Sequence, residues 1–222
     1  MCYNGGMFFN LDISTLIARL VVLLIAMPVH EWAHAWSAYE LGDDTASLQG
    51  RLTLNPLAHL DPIGSLLILL GGFGWAHPVP VNPYRMRGSP RAGMALSAAA
   101  GPIANVLVAA LCAIPFRLGL LSLADAFASA SAFNPARLLY LIAETSLGLG
   151  IFNLLPFFPL DGEKVAVGLL PPRWSNRLLD FRPYSTYALI GLLFLPRLVG
   201  LDPIGWLIGL IMAPALVLFF FL

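Results

Sequence analysis

Charge is scarce in this sequence. Asp, Glu, Lys and Arg supply 11% of the 222 residues, where a soluble domain has roughly 25%. So little polar surface excludes an ordinary water-soluble globule. Lysine occurs once, as Lys164, and the net charge is zero, so the basic footprint that nucleic acid requires is missing. Cysteine occurs twice, at Cys2 and Cys112. Two thiols so far apart suggest neither a disulfide framework nor a cysteine metal site. Cys112 sits in an apolar run and reads as a buried, inert thiol. No internal repeat is visible, and no stretch is left over for an appended soluble domain. No cleavable signal peptide is expected either, because the first apolar run itself carries the candidate site.

Apolar residues are abundant: 59% of the chain, with a mean hydropathy of +0.81. The expected fold is an all-α polytopic membrane protein with about five or six membrane segments. They run from Leu11 to Leu41, Ile63 to Gly74, Gly93 to Phe116, Leu138 to Leu160, Tyr187 to Leu198 and Ile204 to Leu222. The fifth is shorter than the roughly 17 to 25 residues of a spanning helix. It must recruit flanking residues or form a helical hairpin with the sixth. Polar connections are expected at 42–62, 77–91, 117–137 and 162–185. In the first of these, the partial alternation of Ser47 to Leu54 suggests a short β-hairpin after the first helix. The whole chain reads as one membrane-embedded unit over 1–222, with a catalytic core at about 11–162 and C-terminal helices at about 186–222.

The first helix carries His30-Glu31-Trp32-Ala33-His34, an H-E-x-x-H pattern. Residues i and i+4 share a helix face, so both imidazoles can reach one metal ion. Glu31 can serve as general base toward a water activated there. With four His and four Glu in the chain, chance produces this match on the order of once in a thousand chains. An ionisable group in a membrane helix costs about 2.5 to 3.5 kcal/mol or more, so such groups are usually functional. The bland alternative leaves both histidines as hydrogen-bonded residues near the headgroup boundary.

Catalytic zinc usually takes three protein ligands and keeps one position open. The other candidates are His59, Asp61, His77, Glu144 and Asp161. Asp161 follows Pro156 and Pro159, which free backbone groups, and irregular backbone at membrane depth belongs beside a cavity. Gly162 permits a turn just after it. On residue chemistry alone, Asp161 reads equally as a ligand and as an interfacial acid at a helix end. Glu144, in an apolar segment, is expected near the start of its helix in the headgroup zone.

His30-Glu31-x-x-His34, followed by Asn153-x-x-Pro156-x-x-Pro159-Leu160-Asp161-Gly162, resembles the site-2 protease family of intramembrane zinc metalloproteases. Gly101-Pro102-Ile103-Ala104-Asn105 resembles that family's G-P-x-x-N motif. The runs Asn55 to Pro62 and Phe73 to Pro83 resemble the compact subgroup without PDZ or CBS domains. His77 stands where that subgroup has lysine. The resemblance covers about Leu11 to Gly162. It implies one zinc ion held by His30, His34 and Asp161, water activation by Glu31, and assistance from Asn153. Asn153 then offers a hydrogen bond to the peptide carbonyl or developing oxyanion; bridging freed backbone near Pro156 is its structural alternative. Asn105 suits close helix packing more than direct catalysis.

Topology follows from parity. The histidines end one helix and Asp161 ends another, so the two helices must point the same way. An odd number of crossings must separate them. Segments two and three would make two, so the short, glycine-interrupted second segment is expected to be re-entrant. Arg51, Arg85, Arg87 and Arg91 then share a side with Lys164, Arg173, Arg177 and Arg182, opposite Arg117, Arg137 and Arg197. The positive-inside rule turns the active site toward the cytoplasm, in a multi-pass protein of a prokaryotic cell membrane. The expected activity is a zinc endopeptidase acting in or near the transmembrane segments of membrane-anchored substrates. A membrane metal transporter and a non-catalytic metal-binding scaffold are the alternatives.

Overall fold

The computed structural model describes residues 13–71, 74–127 and 134–221. Cys2, Leu11, Gly72, Phe73 and Leu222 lie outside the described residues, as does the side chain of Arg197. Among the described residues the fold is all-α and holds no strand; one isolated bridge joins Leu60 to Ala76.

The first helix, α1 (Ile13–Val21), runs through a π turn at Val22–Ala26 into α2 (Met27–Glu40). Pro28 has no N–H to give the preceding turn, and its ring crowds the carbonyl four residues back. A widened turn just upstream accommodates both effects. The continuous 28-residue helix Ile13–Glu40 is about 42 Å long, enough to cross a hydrocarbon core of about 30 Å. Two further helices are long and apolar enough to cross: Pro90–Arg117 and Pro203–Phe220. Their outward side chains, such as Leu96, Ile103, Leu107, Trp206 and Leu210, are exposed. Lipid covers such a surface favourably, and with three helices of this length and hydropathy the protein is an integral membrane protein.

The expected hairpin after the first helix does not form. Thr45–Leu48 is instead a single helical turn, α3. Asp43 is fully buried and accepts the backbone N–H and hydroxyl of Thr45 on one oxygen and the Asn82 N–H on the other. That local capture competes with strand pairing, and Asn55 nucleates a 3-10 turn at Pro56–Ala58 in the same way. The alternation of apolar residues there belongs to an irregular loop.

The second segment becomes α4 (Pro62–Gly71), a helix of ten residues. It is about 15 Å long and cannot cross. Its flanks meet: Leu60 bridges Ala76, and the His77 N–H donates to the His59 carbonyl at 2.7 Å. A Cβ on Gly74 would lie 2.1 Å from the Gly64 carbonyl oxygen, so the returning chain requires glycine at that crossing. The chain on the two sides of α4 therefore meets at one end of the helix. The buried Arg19 donates through Nη1 to the carbonyls of Leu69 and Leu70, at 3.0 and 2.9 Å. It closes the C-terminus of α4, and its charge suits that end of the helix dipole. Arg19→Leu is expected to leave those carbonyls unpaired and to cost about 1.5–3 kcal/mol, the range for charged hydrogen bonds. A thermal melt in detergent would show a lowered midpoint; an unchanged midpoint would contradict the role given to Arg19.

The central helix is α5 (Pro90–Arg117), preceded by a 3-10 turn at Pro83–Arg85 and capped by Ser89. Its buried residues are mostly small: Ala95, Ala98, Gly101, Ala104, Ala109 and Ala113. Small residues let backbones approach closely where no hydrophobic effect drives helices together. After the short α6 (Leu123–Phe127), α7 (Pro135–Asn153) packs along α5. Two expectations fail on α7. It stops at Asn153 rather than near Leu160, because Pro156 and Pro159 cannot sustain a helical ladder. Glu144 lies midway along it, not near its start.

Asp161 consequently opens a new helix, α8 (Asp161–Leu169), which also packs on α5. The expected polar connection at 162–185 is helical too: α9 (Pro172–Val199) begins well before Tyr187 and reaches 28 residues by recruiting upstream sequence. Polarity there marks a solvated helix surface rather than a loop, with Arg173, Arg177 and Asp180 exposed. The chain closes with α10 (Pro203–Phe220).

Candidate metal centre

His30 and His34 project from α2 toward α5 and are 4% and 8% exposed. Gly101 on α5 leaves the space they fill: a Cβ there would lie 2.4 Å from His34 Nε2 and 2.7 Å from His30 Nε2. From the other side Asp161, also buried, points its Oδ2 at both rings. The His30 Nε2–Oδ2 distance is 3.2 Å, the His34 Nε2–Oδ2 distance 3.1 Å, and the two Nε2 atoms are 3.1 Å apart. A tetrahedron with bonds of about 2.0–2.1 Å has edges of about 3.3–3.4 Å. The three donor atoms nearly match one face of it, so two imidazoles and a carboxylate fit zinc with one position left over.

The remaining polar atoms orient these donors. The Ser97 carbonyl accepts from His34 Nδ1 at 2.7 Å, while the Ser97 hydroxyl donates to the His34 carbonyl at 3.1 Å. A carbonyl can only accept, so His34 carries its proton on Nδ1 and leaves Nε2 as a lone pair. Lys164 lies 3.3 Å from Asp161 Oδ1, which leaves Oδ2 for the imidazoles.

These groups face a cavity of about 460 Å³, which Glu31, Asn153 and Lys164 also line. Glu31 Oε2 accepts the Val79 N–H at 3.3 Å. Asn153 Nδ2 donates to the Leu149 carbonyl one turn back, at 3.0 Å; its second N–H is free to serve the cavity. The other candidate ligands lie elsewhere. His59 is buried with Nε2 on the Thr53 carbonyl, at 2.8 Å, and Asp61 caps α4 through the Gly64 N–H, at 2.8 Å. His77 is exposed, and Glu144 is in mid-helix. Among the described residues His30, His34 and Asp161 form the one His, Cys, Asp or Glu cluster with metal-binding spacing.

Gly162 has a different reason from the turn expected of it. A Cβ there would lie 2.1 Å from the Leu154 carbonyl oxygen. The backbone of α8 presses onto the irregular stretch after α7, and that contact sets Asp161 at the depth of the histidines. A clamp from α9 adds to this contact. Ser185 accepts the Phe158 N–H at 2.8 Å, Thr186 donates to the Phe158 carbonyl at 3.3 Å, and Arg182 holds the buried Glu163 with two bonds of 2.9 Å. Ser185 and Thr186, polar residues opening an apolar run, were the available signal.

Peptidase family M50 matches the chain over residues 117–196. YwhC of Bacillus subtilis, provisionally named a zinc metalloprotease, is 38% identical over 191 residues, covering 85% of each chain. Rip2 of Mycolicibacterium smegmatis, given the same provisional naming, is 31% identical over 79% of this chain and 66% of its own length. Rip2 of Mycobacterium tuberculosis is 29% identical, over 85% and 69% respectively. No solved structure gives a significant match.

Proposed function

This chain belongs to peptidase family M50, the site-2 protease family, and we propose that it hydrolyses peptide bonds in or beside the transmembrane segments of membrane-anchored substrates. It is a zinc metallopeptidase of the membrane. The observation that carries the finer reading is the triangle of His30 Nε2, His34 Nε2 and Asp161 Oδ2, closed within 3.2 Å at the wall of a cavity that Glu31 shares.

In this reading His30, His34 and Asp161 hold one zinc ion. When bound, the ion supplies Lewis acidity toward the scissile carbonyl and the attacking water. Glu31 takes a proton from that water and later delivers it to the leaving amine. Asn153 turns its free N–H toward the carbonyl oxygen, where negative charge develops. The substrate helix must unwind locally, because helical carbonyls are occupied by their own hydrogen bonds. Residues 1–222 act as one membrane-embedded unit. The arginines around α4 and α9 set its active site toward the cytoplasmic face of a prokaryotic cell membrane.

The test is cleavage in proteoliposomes of a panel of membrane-anchored peptides. A zinc chelator is expected to reduce product to background, and stoichiometric zinc to restore it. Cleavage that persists after complete metal removal would overturn the reading. So would zinc flux into the vesicles with no cleavage of any peptide, the behaviour of a transporter.

A further inference from the structure

Each imidazole of the centre has a second nitrogen, and the two are held differently. His34 Nδ1 faces a backbone carbonyl, that of Ser97. No side-chain substitution removes that acceptor. His30 Nδ1 faces one side-chain amide, that of Asn105, at 3.1 Å. Asn105 lies eight residues after Ser97 on α5, with Gly101 between them, so the three share a helix face. That face matches the four-residue spacing of the histidines on α2.

Asn105 is fully buried, and its Oδ1 has no partner. The two ends of an amide are assigned from hydrogen bonding alone. With Nδ2 toward the ring, His30 Nδ1 must accept, which puts the ring proton on Nε2. That tautomer suits a hydrogen bond to Asp161 but not a metal ligand. Exchanging the amide ends turns the oxygen toward the ring, moves the ring proton to Nδ1 and leaves the amide nitrogen as the unpaired end. Ser146 on α7 also carries a buried hydroxyl without a partner. It lies one turn before Gly150, whose added Cβ would sit 3.2 Å from Asn105 Cβ. One amide end lacks a partner in either orientation, so the ring decides between them: only the exchanged orientation leaves His30 Nε2 as a lone pair for a metal ion.

We propose that Asn105 is a positioning residue whose side-chain oxygen accepts the His30 Nδ1–H and holds the tautomer that leaves Nε2 free for zinc. The proposal rests on the zinc-centre reading above. It assigns Asn105 a role beyond helix packing and makes affinity for metal depend on one buried acceptor.

The experiment measures zinc affinity of the purified full-length protein by chelator competition, with the visible spectrum of the cobalt-substituted protein as a second readout. Asn105→Leu, close in volume and without an acceptor, is expected to bind zinc about 10- to 100-fold more weakly. Its cobalt spectrum should change while its helix content does not. Asn105→Asp retains acceptors and is expected to stay within a few-fold of the parent protein. Parent-like affinity in Asn105→Leu would overturn the proposal. Equal losses in the Leu and Asp variants would also overturn it, because packing or donation would then be the role. Where Asn105→Leu fails to fold, Asn105→Ala makes the same comparison with Asn105→Asp. His30→Ala separates the two levels. If it binds zinc like the parent protein, the zinc-centre reading itself fails. If it loses zinc while Asn105→Leu does not, only the role of Asn105 falls.

Discussion

Replacing Glu31 with glutamine is expected to abolish peptide cleavage and leave bound zinc in place. Glu31 is not a member of the donor triangle, so its loss removes no ligand. Its helix neighbour His30 and the loop residue Val79 can keep their contacts. The amide oxygen of glutamine can still accept the Val79 N–H that Glu31 Oε2 holds at 3.3 Å. What glutamine cannot do is take a proton from water, or return one to the leaving amine. General acid–base groups contribute about 10²- to 10⁴-fold, and here one carboxylate serves both steps, so the loss should lie at or above the top of that range. Peptide-release kinetics and metal analysis on the same preparation check both halves. Cleavage near the wild-type rate would remove Glu31 from the mechanism. Loss of zinc together with activity would show that glutamine disturbs the ligand helix instead.

The parts of this site that were legible in the sequence share one property: they are local in the chain or forced by rarity. His30 and His34 fall on one face because a helix has 3.6 residues per turn, and few residue types can explain a charged cluster in an apolar run. The shortness of the second segment was legible too, and it forms a ten-residue α4 with paired flanks at Leu60 and Ala76. What escaped depends on contacts between distant segments. The contact of Asn105 with His30 needs the register of α5 against α2. The clamp on Phe158 needs Ser185 and Thr186 from a helix that composition had divided into a polar loop and a short apolar run. Arg182 and the buried Glu163 hid for the same reason: their bidentate pair joins α9 to α8. The absent hairpin shows the reverse failure. Alternation over Ser47 to Leu54 looked like a strand, but the buried Asp43 had already captured the backbone beside it.

Asp161→Ala is expected to strip the zinc and with it all cleavage. Of the donors, Asp161 is the one that sequence chemistry alone could not separate from an interfacial acid. Its variant therefore tests the structure more sharply than either histidine does. Removing the carboxylate leaves two imidazoles and no anionic ligand. It also leaves the Lys164 ammonium, now 3.3 Å from Oδ1, without its partner beside the ion's position. A cation placed there opposes a second cation. Both effects act against binding, so the loss should exceed the 10- to 100-fold that follows loss of an outer-shell partner. The backbone should survive, because Gly162 and the Arg182–Glu163 pair, not the Asp161 side chain, press α8 against its neighbours. Glu144→Ala is the matched control. It deletes the carboxylate midway along α7, outside the donor cluster, and should retain zinc. Metal content of the two purified variants, measured beside the parent protein, decides the matter. Full stoichiometric zinc in Asp161→Ala would mean that the approach of Oδ2 to both histidines is a plain hydrogen-bonded contact, and that the third ligand must be sought elsewhere.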